Sequence, residues 1–157
     1  MTRWMTTAFV AGLVFMLAAP SFAQRFRATL SGDNEVPVAV ETDARGRATV
    51  RVEDDELVYR LRVRNGTNTL GAAGAHIHCA PEGENGPVVL FLAGVVPGGL
   101  EGRLEIRGVL TEQNILDPAC GTTIEEIVDS MLAGGAYVNV HSLNFPPGEV
   151  RGQLEAR

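Results

Sequence analysis

The stretch GRATVRVEDDELVYRLRVRNG, Gly46 to Gly66, decides the fold. In its second half Leu57, Tyr59, Leu61 and Val63 fall on one parity, and Arg60, Arg62 and Arg64 on the other. A period of two places one set on a buried face and the other on a wet one, the signature of a half-buried β-strand. GRATVRVED reads as its partner, with EDDE as the hairpin connection.

The same grammar extends in both directions. RFRATL (Arg25 to Leu30) alternates and SGDNEVP breaks it; GAHIH, the apolar run PVVLFLAG, LEGRLEIRGVL, GAYVNVHS and GEVRGQLEAR follow, separated by CAPEGENG, VVPGG and LNFPP. Frequent turns between short alternating segments mark a sandwich or barrel. One helix interrupts them. TTIEEIVDSMLAGG sets Ile124, Ile127, Val128, Met131 and Leu132 on one stripe. Thr122 with Glu125, and Thr123 with Glu126, are alternative capping boxes, and Gly134 is placed to end the helix. The expected fold is all-β, an antiparallel Greek-key β-sandwich of about eight strands with one short helix between Thr122 and Ala133.

The first 23 residues have the layout of a secretory signal peptide: Arg3, an apolar run from Ala8 to Ala19, and Ser21-Phe22-Ala23 before a cut. The run is short for a membrane span of roughly 20 residues. Cleavage after Ala23 leaves a secreted or periplasmic chain, residues 24–157, with no stable membrane span. Loss of Arg3 moves the formal net charge from −6 to −7, and no lysine occurs. No basic patch or run of like charge stands out, which argues against nucleic acid as a partner. Cys79 and Cys120, an even count in an exported chain, read as a disulfide; the rival reading makes Cys79 a metal thiolate. Asn65-Gly66-Thr67 fits a glycosylation sequon in a turn.

The chain has three histidines. In AHIHC, Ala75, Ile77 and Cys79 take the core side, so His76 and His78 share the opposite face. In YVNVHS, Val138 and Val140 face the core while Tyr137, Asn139 and His141 do not; in GEVRGQLEAR, Val150 and Leu154 turn inward and Glu149, Arg151 and Gln153 outward. If these strands are neighbours, one outer surface collects all three histidines. Three neutral imidazoles gathered there, at an exposed edge, would form a transition-metal site. Copper(II) is favoured by the Irving–Williams order, and zinc would also be accepted. Glu149 is placed to orient an imidazole or to serve as the fourth ligand, and Arg151 stands beside it, either near the metal or in a surface ion pair. Binding should weaken as pH falls near 6.5. No G-x-S-x-G elbow or phosphate-cradling loop is present.

GAHIHCAPEGENGPVVLFL, RGVLT and AGGAYVNVHSLNFPPGEVRGQL together resemble the CHRD domain, named for the repeats in chordin, from about Phe26 to Leu154. The resemblance implies an extracellular or exported domain. A weaker resemblance, to copper/zinc superoxide dismutase, rests on the H-x-H strand, a late histidine, a late arginine and a single disulfide. It implies that His76, His78 and His141 are copper ligands and that Arg151 guides superoxide. The bridging histidine and the zinc loop have no counterpart here, so a complete dismutase site is absent. Three readings follow: an exported metal-binding protein, a copper-only dismutase-like redox enzyme, and a metal-free structural or adhesive module.

Overall fold

The computed structural model describes residues 24–157, and the expected signal peptide lies outside the described residues. The hairpin read from the sequence is there. β2 (Arg45–Glu53) and β3 (Glu56–Thr69) pair from Arg45↔Arg64 to Glu53↔Glu56 around Asp54 and Asp55. Both aspartates adopt positive φ, 46° and 63°, the geometry of a two-residue type I′ turn, whose twist matches that of the strands. Ala48, Val50, Leu57, Tyr59, Leu61 and Val63 are buried on the inner face.

The remaining strands are β1 (Arg25–Ser31), β4 (Ala75–Cys79), β5 (Val88–Ala93), β6 (Leu100–Leu110), β7 (Ala136–Val140), β8 (Val150–Gln153) and the two-residue β9 (Glu155–Ala156). They form one antiparallel sheet in the order β5-β4-β7-β8-β1-β2-β3-β6, with β9 on β1. The sheet curls until β5 and β6 face each other across an unladdered seam, giving a nearly closed barrel. β4, β5 and β6 succeed one another around it and β7 returns to lie beside β4, which is Greek-key connectivity. Ninefold stranding exceeds the expected eight by the short β9. β3 also runs on past the anticipated turn at Asn65-Gly66: Asn65 and Asn68 take φ of 55° and 50°, and the register against β6 shifts there, so the segment bulges instead of reversing.

The helix α1 (Ile124–Leu132) is one or two residues shorter at each end than expected. Of the two capping boxes, Thr123 with Glu126 forms. Gly134, at φ 74°, follows the Ala133 cap, donating to Met131, and Gly135 donates to Ser130, a Schellman ending. Ile124, Ile127, Val128 and Met131 enter the common core, whereas Leu132 stands 48 % exposed and leaves the stripe. Cys79 and Cys120 form the disulfide, 41 residues apart in sequence, so Cys79 is not a thiolate ligand. No helix among the described residues is long and apolar enough to cross a membrane.

One expectation from charge is corrected. Strand alternation puts arginines on the outer face of β1, β2, β3 and β6, where register aligns Arg25 with Arg51, Arg47 with Arg62, and Arg60 with Arg107. The chain carries a basic face that no run of like charge revealed, because strand alternation separates successive arginines by residues that face the other way.

Candidate metal centre

The adjacency on which the histidines depend is present. β4 pairs with β7, placing His76 opposite Asn139, Ile77 opposite Val138 and His78 opposite Tyr137. β7 pairs with β8, placing Asn139 opposite Arg151. Ala75, Ile77, Val138, Val140 and Val150 point into the barrel, so the histidines, Asn139, Tyr137 and Arg151 occupy its outside. His141 lies one residue beyond β7, where its N–H donates to the Gly74 carbonyl.

That outside is not exposed, contrary to the expected open edge. His76, His78 and His141 are 4 %, 9 % and 6 % accessible. Loops cover them. Arg151 gathers the segment between β4 and β5, donating to the Glu84 carbonyl at 2.6 Å and to Asn85 Oδ1 at 3.1 Å. Asn85 in turn donates to the Val36 carbonyl, joining that segment to the loop between β1 and β2. The Arg151 guanidinium lies 3.5 Å from the centre of the Tyr137 ring, and His78 stacks on the same ring at 4.8 Å and 9°. β7 runs between β4 and β8, so His78 and Arg151 take opposite faces of Tyr137. Phe91 of β5 closes the far side, edge-on to His76 at 4.5 Å.

The nitrogens are sorted by their backbone partners. His78 Nδ1 meets the Gly86 carbonyl at 2.9 Å, and His141 Nδ1 meets the Pro146 carbonyl at 2.9 Å. A carbonyl only accepts, so both Nδ1 atoms carry the proton and both Nε2 atoms present lone pairs. His76 turns Nδ1 to within 3.2 Å of His141 Nε2. The Ala73 backbone favours a proton on His76, against the lowering effect of burial. His76 Nε2 and His78 Nε2 are buried without any hydrogen-bond partner. One ligand nitrogen from each ring lies within 4.8 Å of those from the other two. Two nitrogens held about 2.0–2.1 Å from one ion at a near-tetrahedral angle are about 3.3 Å apart, close to the His76–His141 separation.

Electrostatics favours neutral rings. Burial, with smaller contributions from His141 and His78, lowers His76 to about 4. Burial likewise lowers His78 and His141, against the raising effect of their carbonyl partners. At neutral pH all three imidazoles are free to ligate.

Glu149 sits elsewhere than expected. It is 3 % exposed and its Oε1 accepts from Thr42 Oγ1 at 2.8 Å; the Gly86 and Pro146 carbonyls orient the imidazoles. Arg151, 2 % exposed, spends its guanidinium on loop carbonyls and the Tyr137 ring, making no surface ion pair with Glu149 and presenting no open cation to an incoming anion. Glu35 was missed by the sequence. Burial pushes it up to about 7, against the lowering pull of Arg151 and of its hydrogen bond from Asn139. Gly86 and Pro146 left no signal because they act through backbone atoms. Gly86 does show why it is glycine: an added Cβ would collide with the Cys79 carbonyl.

A family model described as CHRD domain matches residues 26–154. No curated protein and no solved structure matches the chain significantly.

Proposed function

The chain belongs to the CHRD domain family, and from that premise we propose that it is an exported protein holding one transition-metal ion, copper foremost, on His76, His78 and His141. The observation that carries this reading is the pair of orphaned nitrogens. Without an ion, His141 Nε2 accepts, so His76 Nδ1 must donate, and His76 Nε2 and His78 Nε2 remain as buried lone pairs with no donor. Each such atom costs about 1–3 kcal/mol. A cation bound by His76 Nδ1, His78 Nε2 and His141 Nε2 moves the His76 proton to Nε2 and turns the cost at His78 into a bond. Three nitrogen donors leave a fourth position for water or a small ligand. Copper stands ahead of zinc because imidazole suits copper(II) and it tops the divalent series. Export is supported by the N-terminal pattern and by the disulfide, which suits an oxidising compartment.

The test is metal content of the exported protein by mass spectrometry, then titration of the demetallated chain with copper(II) and zinc(II) beside His76→Ala, His78→Ala and His141→Ala. Each substitution should weaken copper binding roughly tenfold or more, about 1.4 kcal/mol. Equal affinity in wild type and the triple variant defeats the reading. A dismutase assay on the copper-loaded form separates a redox enzyme from a holder of the ion.

A further inference from the structure

Ten of the chain's 13 cationic side chains share the outer face of β1, β2, β3 and β6, in a protein whose formal net charge is −6. Their placement works against stability. Arg25↔Arg51, Arg45↔Arg64, Arg47↔Arg62 and Arg60↔Arg107 are direct cross-strand neighbours, and like charges so placed repel. Arg27 and Arg103 complete the set. Glu105 bridges Arg60, Arg62 and Arg107, and Glu53 pairs with Arg51. The other six make no ion pair among the described residues, and Arg60 Nε is buried without a partner.

Two shallow concavities run along this face. One is lined by Arg45, Arg47, Arg62, Arg64 and Arg103 around Glu105, the other by Arg25, Arg27, Arg51, Arg60 and Arg107. Four residues separate them along the strands, about 13 Å at the rise of an extended chain. Arg45 spends Nη1 on the Thr42 and Ala44 carbonyls; the other guanidinium forks around each hollow suit bidentate oxyanions, and the absence of lysine makes every fork planar. The spacing suits a linear chain carrying charge in both hollows at once.

We propose that this face binds an acidic polysaccharide, a linear chain bearing sulfate or carboxylate groups. The face's chemistry selects among polyanions. Its outward residues other than arginine are threonines, valines, glutamates and a serine, so no aromatic ring offers a base a stacking platform. Four strands side by side span about 14 Å, wider than the roughly 12 Å major groove of a duplex. The exposed large apolar side chains of these strands are Val109 and, at the start of β6, Leu100, with no Trp or Phe among them, a poor anchor for a lipid interface. The inference stands apart from the metal reading, since no histidine lies on this face.

The test measures binding of the purified protein to heparin and to alginate as salt is raised, beside the quadruple variant Arg27→Gln, Arg47→Gln, Arg64→Gln, Arg103→Gln and the off-face control Arg157→Gln. Wild type and the control should bind at least one of the two polymers alike, with salt-sensitive affinity; the quadruple variant should lose roughly tenfold or more and show a shallower salt dependence. Its melting temperature should hold or rise, because repulsion is relieved, which separates lost binding from lost folding. No retention of wild type on either polymer at low salt, or undiminished binding by the quadruple variant, overturns the proposal. So does equal or tighter binding to a single-stranded thymidine oligonucleotide or to phosphatidylglycerol vesicles, which would make the face a nucleic-acid or membrane surface.

Discussion

His76 Nδ1 stands 3.2 Å from His141 Nε2, although the two residues are 65 apart in the chain. The pair is too close for two bare lone pairs. It needs a proton or a cation between: either a neutral His76 donates from Nδ1 to His141 Nε2, or both nitrogens face one ion, and burial keeps His76 neutral in both cases at neutral pH. That relationship changes the expected response to acid.

Copper release should follow the buried ligands and not free imidazole. With His76 lowered to about 4 by burial, protons compete effectively only well below the ordinary histidine value of 6.5. Affinity measured by competition titration should therefore stay nearly level from pH 7 to about 5 and fall steeply through about 4. A midpoint near 6.5 would show that the rings are solvated in solution.

The demetallated protein sets its lowered histidines, His76 foremost, against its raised Glu35. The His76 pKa is lower when folded, so its contribution is present above the unfolded value of 6.5 and is lost as pH falls toward about 4; about 3 kcal/mol is at stake. Glu35 is raised from 4.5 to about 7, so its contribution is present below 4.5 and is lost as pH rises through 7. The two slopes oppose each other between about 4.5 and 6.5. Glu35→Gln removes one of them. Urea unfolding should show the variant losing stability more steeply than wild type on acidification across that window; parallel curves would contradict a buried, proton-holding Glu35.

Arg151 clasps the cover over the site. Arg151→Ala leaves the Glu84 carbonyl and Asn85 Oδ1 without their donor and removes the partner of the Tyr137 ring. We expect a loss of about 2–4 kcal/mol, with Arg151→Lys intermediate because an ammonium cannot make the forked contact. Hydrogen exchange should speed first in the segment from Ala80 to Pro87. A uniform change across the sheet would contradict the clasp.

The disulfide closes a loop spanning 41 residues. The double variant Cys79→Ser, Cys120→Ser should lose up to about 4 kcal/mol by the chain-entropy estimate. Its copper affinity should change little, because the His78 ring is held by the Gly86 carbonyl and by Tyr137. Loss of binding at temperatures where the variant remains folded would implicate the disulfide in the site itself.

The all-β class, the β2–β3 hairpin, the α1 capping pattern and the disulfide were legible because each is written in local alternation, in a three-residue spacing, or in the only cysteine pair available. Even the parity of the three histidines follows from their apolar neighbours Ile77, Val138 and Val140. Less legible were the bulge at Asn65 to Asn68, where asparagines with positive φ bend a strand that composition alone made look like a turn, and Leu132, which the helical period placed in the core.

The sequence by itself determined which residues alternate, and therefore which side chains share a face. Only the tertiary structure decided what each face meets. The sheet order brings β4, β7 and β8 together, and the covering loops bury the histidines and Glu35, lowering the pKa values of the first and raising that of the second. The same order sums the scattered arginines of β1, β2, β3 and β6 into one basic surface. Alternation is a property of neighbouring residues along the chain. Desolvation and summed charge depend on distances across strands, which exist only once the sheet has closed.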